Sequence, residues 1–263
     1  MFNRTIINDL KHWREQKDRK PLMMLGARQV GKTSVLKRFG RECFEHCVYF
    51  SLDEEAGVCD IFRTTKNPTQ IIEQLSYLTD EPILPEKTLL ILDEIQDCPE
   101  AISSMKYFCE KTPEYAIACA GSLLGLAFGH EGFSFPVGKV DHINMYPVTF
   151  SEFLEQKDSG LYRYYKSIDS IDPLPQVFFD RLSQAFTAYR ISGGMPEAAM
   201  KMIEVDMKGV ETKLQNILQD YTLDFVKHAT PQLANRISHL WNSLPSQLAK
   251  ENRKFIYQLV RPG

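Results

Sequence analysis

The chain is short of the features that would sort it by composition. It has no Cys-x-x-Cys pair, no apolar run approaching the ~20 residues of a membrane span, no internal repeat and no low-complexity tract. Its net charge is only −3, from 31 basic and 34 acidic residues. That balance supplies no overall attraction to nucleic acid and leaves at most a local patch. Lys11, Arg14, Lys17, Arg19 and Lys20 cluster, but Glu15 and Asp18 interrupt them, so they read as a solvated helix face. The six cysteines lack zinc-like spacing: Cys43, His46 and Cys47 have no second ligand pair, while Cys109 and Cys119 sit in apolar settings typical of buried free thiols. Thiols of this kind suit a reducing cytosol. The amino terminus, Met1-Phe2-Asn3-Arg4, has no long apolar core. A cytoplasmic protein with no membrane contact is expected, in which the sequon Asn3-Arg4-Thr5 has no role. What the chain does have is 43% hydrophobic and 25% charged residues over 263 positions. That is enough for a sizeable core in one large domain or two modest ones.

Against this plain background one stretch stands out. Gly26-Ala27-Arg28-Gln29-Val30-Gly31-Lys32-Thr33 fits the pattern of a glycine, four residues, then Gly-Lys-Thr. The apolar run Pro21 to Leu25 precedes it and reads as a buried strand; Ser34 to Phe39 follows and reads as the first turns of a helix. The two glycines carry no β-carbon and let the backbone close around a ligand. Amide hydrogens of residues 28–33 then point inward as an anion nest, and the helix start adds about half an elementary charge. Lys32 reaches β- and γ-phosphates, Thr33 offers a hydroxyl to Mg²⁺, and Ser34 completes the cradle. ATP and Mg²⁺ are the expected ligands.

A second motif supplies what such a loop needs. Thr88-Leu89-Leu90-Ile91-Leu92-Asp93-Glu94 is an apolar strand ending in two carboxylates. Asp93 is placed to hold Mg²⁺ through its water shell, with Thr33 as the other metal contact. Glu94, one residue further out, is placed to polarise an attacking water, work worth ~10²–10⁴ in rate. Glu94 and Lys32 are therefore the expected catalytic residues.

The first 150 residues alternate strand-like and helix-like patterns. Strands are expected at 21–25, 48–52, 88–92, 115–120 and 140–145, with helices at 70–75 and 101–110. This is the signature of a parallel sheet covered on both faces, with ligands beyond the carboxyl ends of its strands. Gly26–Thr33, Asp53, Asp93-Glu94 and Gly121-Ser122 then converge on one edge. From Ser151 the pattern is helical: Ser151 caps a helix through Leu154, residues 157–175 read as a loop-rich linker, and 178–189 as helix. Val210, Leu214, Ile217, Leu218, Tyr221 and Phe225 recur at helical spacing and read as a packing stripe. Thr230-Pro231 reads as a helix start.

With these residues assembled, the chain resembles a family of bacterial and archaeal AAA+-like P-loop ATPases related to the MNS and STAND ATPases. The matching segments run from Arg19-Lys20-Pro21 and the phosphate loop (Walker A) through Leu92-Asp93-Glu94-Ile95-Gln96 (Walker B) and Ala120-Gly121-Ser122. Pro136 to Val140, Tyr146 to Phe153 and Gly193 to Glu197 follow. The resemblance implies an α/β three-layer P-loop NTPase sandwich of the AAA+/ASCE type, with a five-stranded parallel sheet in residues 1–153. A helical lid in 154–228 and the start of a winged helix in 229–263 come after it. It implies a sensor role for Ser122 and a phosphate contact for Arg190 of the lid. Many relatives carry Gly-Arg where Gly138-Lys139 stands, and lysine lacks the planar fork of an arginine finger. Longer relatives continue into a restriction-endonuclease-like domain, so the chain is expected to be a fragment or a truncated product, with Phe255, Ile256 and Leu259 left uncovered.

The resulting expectation is an AAA+ protein that binds ATP and hydrolyses it with Mg²⁺, coupled to movement of the lid. A nucleotide-dependent switch with little hydrolysis uses the same residues. A small-molecule kinase shares the loop but usually lacks the Asp-Glu pair. Protein and DNA are both compatible partners, and the oligomeric state is open, because a ring needs an arginine from a neighbour.

Overall fold

The structure, a computed structural model, describes residues 2–122, 135–228 and 231–249. Five parallel strands form its centre: β1 (Leu22–Gly26), β2 (His46–Ser51), β3 (Thr88–Asp93), β4 (Ala116–Ser122) and β5 (Asp141–Met145). Their spatial order is β2-β3-β4-β1-β5, so β4 lies between the strand that leads into the phosphate loop and the strand that ends in the acid pair. Every residue of β3 and β4 is buried. A run such as Leu89-Leu90-Ile91-Leu92 has no polar face to give to water, which is why it becomes an interior strand of a sheet covered on both sides. Side chains alternate between two cores. Met23, Leu90 and Leu92 pack with Val58, Phe62, Ile71, Leu75 and Phe108 from α3 (Ala56–Thr64), α4 (Pro68–Ser76) and α5 (Pro99–Lys111). Leu22, Met24, Leu89 and Ile91 pack with Leu10, Trp13, Leu36 and Phe39 from α1 (Ile6–Glu15) and α2 (Lys32–Cys43). The fold is the three-layer α/β sandwich expected from the sequence.

Among the described residues six further helices follow: α6 (Phe150–Lys157), α7 (Ser159–Lys166), α8 (Gln176–Ser192), α9 (Pro196–Ile203), α10 (Met207–His228) and α11 (Pro231–Leu248). Two expectations need correction. Residues 159–166, expected as loop, form α7, because Asp158 caps it by accepting from Leu161 N at 2.9 Å. Leu161 is buried, and the Tyr164 ring stacks on Phe178 at 3.7 Å. Gly160 lies in the first turn, where its weak helix propensity costs little. The cap of α6 is Thr149, not Ser151: Thr149 Oγ1 accepts from Glu152 N at 3.2 Å while Glu152 Oε2 accepts from Thr149 N at 2.9 Å, a capping box.

The chain divides into two compact units, Met1–Leu214 and Gln215–Gly263. In the first, Val210 and Leu214 pack with Phe2, Val148 and Phe153. In the second, Ile217 and Phe225 are buried and the rings of Tyr221 and Phe225 meet Trp241 at 5.4 and 5.6 Å. Leu218, placed on the same stripe by its spacing, is exposed instead. Pro231 opens α11 as expected; Thr230 and residues 250–263, with Phe255, Ile256 and Leu259, lie outside the described residues. No helix among the described residues is long and apolar enough to cross a membrane.

A buried ion pair fixes the rear of the phosphate loop. Arg4 Nε lies 3.2 Å from Glu152 Oε2, both side chains being almost wholly buried. Arg4 Nη1 donates to Val30 O at 3.0 Å and Nη2 to Tyr146 O at 2.6 Å. Glu152 Oε1 also accepts from Thr5 N (2.7 Å) and Thr5 Oγ1 (2.9 Å). Residues 4 and 5, the phosphate loop and α6 are thus tied together through one ion pair. Removing one partner of a buried pair costs about 3–5 kcal/mol, because the other charge stays buried alone. Glu152→Ala should therefore lower the thermal midpoint by about 10 °C in calorimetry; a shift under about 2 °C would contradict the network.

Candidate nucleotide-binding site

The site grows out of strand ends. In register, Gly26 pairs with Ser122 on one side and Met145 on the other, while Ser51 pairs with Asp93, so all five carboxyl ends share one rim. A Cβ on Gly26 would lie 2.3 Å from the Met145 carbonyl oxygen, a backbone atom that cannot swing away. Gly26→Ala should thus force β1 and β5 apart, with loss of stability in a denaturant melt and loss of nucleotide binding together. The loop then turns through left-handed residues at Gln29 (φ 58°) and Gly31 (φ 93°) and enters α2 at Lys32.

Lys32 is buried, and its Nζ donates to Gly26 O at 3.1 Å and Ala27 O at 2.9 Å. Desolvation lowers its pKa, opposed by the nearby carboxylates of Glu94 and Asp93. One residue on, Thr33 Oγ1 donates to Asp93 Oδ2 at 2.5 Å. Asp93 is buried at the end of β3; its Oδ2 also accepts from Tyr49 OH at 3.2 Å and its Oδ1 from Glu94 N at 3.1 Å. Burial, with a smaller contribution from the Asp93 carboxylate, pushes the Tyr49 phenol up to about 12, so it stays a donor. Glu94 takes a left-handed backbone (φ 49°) that turns it off the strand. Its Oε2 accepts from Gln96 Nε2 at 2.5 Å, and Gln96 Oε1 accepts from Ser122 N at 3.4 Å.

Of the residues expected from sequence, Gly26 to Ser34, Asp93, Glu94 and Ser122 therefore meet at one place. Ser122 is the last residue of β4 rather than part of a loop, and it is buried. Asp53 is exposed just past β2 and accepts from Ser51 Oγ at 2.6 Å. Lys139 is turned to Glu110, whose Oε1 lies 2.8 Å from Lys139 Nζ. Arg190 is exposed on α8 and lines a separate depression with Thr187 and Ile191. Sequence reasoning missed Tyr49, Arg4 and the bridging amide of Gln96. Tyr49 is one member of an alternating strand pattern, and Arg4 lies 148 positions from Glu152; neither carries a local signal.

The donor set suits a hard cation. Thr33 hydroxyl and Asp93 carboxylate are oxygen ligands side by side. That fits Mg²⁺, which takes one or two protein oxygens and fills its sphere with water and phosphate. Beside Gly31 and Ser34 opens a cavity of about 330 Å³, walled by the apolar Phe2, Val30, Val35, Pro196 and Met200 and edged by the charged Arg4, Glu197, Lys201 and Lys213.

Residues 18–154, more than half of the chain, match the AAA domain family. No curated protein sequence matches. Among solved structures, the replication initiator DnaA bound to AMPPCP and single-stranded DNA is similar at 14% identity, over 92% of this chain and 78% of that one, with a TM-score of 0.45. Drosophila ORC bound to DNA is similar at 11% identity, over 95% and 68%, TM-score 0.44. C. elegans PCH-2 is similar at 12% identity, over 81% and 70%, TM-score 0.41. The chain belongs to the AAA domain family of nucleotide-binding proteins.

Proposed function

We propose that the protein binds ATP with Mg²⁺ at the sheet rim and hydrolyses it. The carrying observation is the direct bond from Thr33 to Asp93 with the Lys32 ammonium on the same loop. Backbone amides 28–33 and Lys32 hold the phosphates. Thr33 and Asp93 hold Mg²⁺, which when bound neutralises phosphate charge and fixes the geometry of the γ-phosphate. Glu94 positions and polarises the attacking water. Ser122, at the end of β4, senses the γ-phosphate. The apolar cavity beside Gly31 takes the base: its volume suits a purine, and stacking against apolar walls releases water.

Hydrolysis then drives or resets movement of the lid, residues 154–228, against the sheet, the change that would carry Arg190 to the phosphates. We place the protein in the cytoplasm and in the MNS/STAND-related branch. Steady-state phosphate release with ATP and Mg²⁺ tests this reading. Turnover that disappears in Asp93→Ala supports it; folded protein that binds ATP but releases no phosphate, alone or with DNA, removes the hydrolytic half.

A second reading, a nucleotide-occupied switch with little hydrolysis, is favoured by one contact. Lys139 stands where many relatives carry arginine, and its ammonium is held by Glu110. With that cation engaged, Lys139 itself brings no finger charge to the γ-phosphate.

A further inference from the structure

We propose that Gln96 is a positioning residue that ties the base Glu94 to the end of β4, so that the two move as one. The proposal rests on Glu94 being the base, and it adds a residue to which neither the motif nor the family match gives a role.

Gln96 sits in the 3₁₀ turn Ile95–Asp97 and is only 6% exposed. A buried amide is costly unless both its ends are bonded. Both are: Nε2 donates to Glu94 Oε2 at 2.5 Å, and Oε1 accepts from Ser122 N at 3.4 Å. The two contacts fix the amide's orientation between them. Exchanging oxygen and nitrogen would set an oxygen against a carboxylate and an NH₂ against an N–H. Neighbouring residues make room for this amide. A Cβ on Gly121 would lie 2.9 Å from Gln96 Oε1 and 3.0 Å from Ile95 Cγ2, so any larger residue there would push the bridge out of place.

The consequence for Glu94 is mechanical. Its left-handed backbone aims the side chain off the strand, and on its own that side chain would sample several rotamers. Gln96 ties down one carboxylate oxygen and leaves the other for water. Fixing a base in advance matters because displacement of about 1 Å can cost about 100-fold in rate. The other end of the same amide holds the backbone of Ser122, one residue past Gly121 at the rim. A shift of the β4 end therefore reaches the carboxylate through a single side chain.

Gln96→Met tests the bridge, since it keeps length and bulk and removes both polar contacts. The expected result is a kcat about 10- to 100-fold lower with the ATP Kd within threefold of wild type. In the Glu94→Gln background, Gln96→Met should slow turnover no further, because the group it positions is gone. Should Gln96→Met destabilise the fold, Gln96→Glu separates the roles. It keeps the acceptor for Ser122 N but loses the donor to Glu94, and it should lose as much kcat. Wild-type kcat in either variant, a parallel loss of ATP affinity, or an equal further loss in the Glu94→Gln background would overturn the proposal. A wild-type rate in Glu94→Gln alone would remove the base assignment beneath it. A slow Glu94→Gln with a fully active Gln96→Met would remove only the bridge.

Discussion

Glu94→Gln should bind ATP as tightly as the wild type and release phosphate about 10²- to 10⁴-fold more slowly. The substitution is close to isosteric and removes only the charge and basicity of the carboxylate. Glu94 stands one residue beyond Asp93, outside the Thr33–Asp93 contact, so the metal-holding pair keeps its geometry. Asp93 Oδ1 still accepts from the backbone amide of residue 94. The side chain at 94 also keeps an oxygen for Gln96 Nε2, so the turn need not rearrange. Affinity and turnover therefore separate, and the pattern is read by titration calorimetry beside a phosphate-release assay. A rate within threefold of wild type would remove Glu94 as the base, and a matching fall in affinity would mean that the residue supports the loop instead.

Lys32→Ala should weaken ATP binding by about 100-fold or more. Hydrogen bonds to charged groups are worth about 1.5–3 kcal/mol each. An ammonium that reaches two phosphates therefore carries at least two decades of affinity. The structure shows the ammonium already shed of most water and resting on two carbonyls of its own loop. It is held near where phosphate oxygens would arrive, and little side-chain entropy remains to be lost on binding. Its removal has a second cost. Glu94 and Asp93 are carboxylates that act on that cation, and without it they face a polyanion with one less positive charge between. Lys32→Arg should not rescue, because a planar fork cannot reproduce the compact ammonium that donates to both Gly26 O and Ala27 O. Fluorescent-ATP titration of both variants measures the effect; affinity within threefold of wild type in Lys32→Ala would contradict it.

The parts of this site that are legible in sequence are those where chemistry demands fixed residues at short range. Gly26 to Thr33 is one continuous loop, and each of its special positions does a separate job, from the missing Cβ of Gly26 to the hydroxyl of Thr33. The acid pair is legible because Leu89 to Leu92 can only be an interior strand, and a strand must end. Contacts across the sheet leave no such trace. Tyr49 reaches Asp93 from 44 residues away, and Lys139, just before β5, finds Glu110 on α5, 29 positions earlier. Arg4 carries no local signal, and its partner Glu152 lies in a capping box that begins at Thr149, two residues before Ser151. Gly160 and the prolines after α7 give the segment the composition of a loop, although Leu161, Tyr164 and Tyr165 have the spacing to pack.

One measurement bears on the claim beneath all of these: equilibrium binding of ATP to the folded wild-type chain, with millimolar Mg²⁺ and then with EDTA. Binding of one ATP per chain that weakens at least tenfold when the metal is withdrawn is the expected result. A protein that melts cooperatively yet takes up no ATP in Mg²⁺ would contradict it.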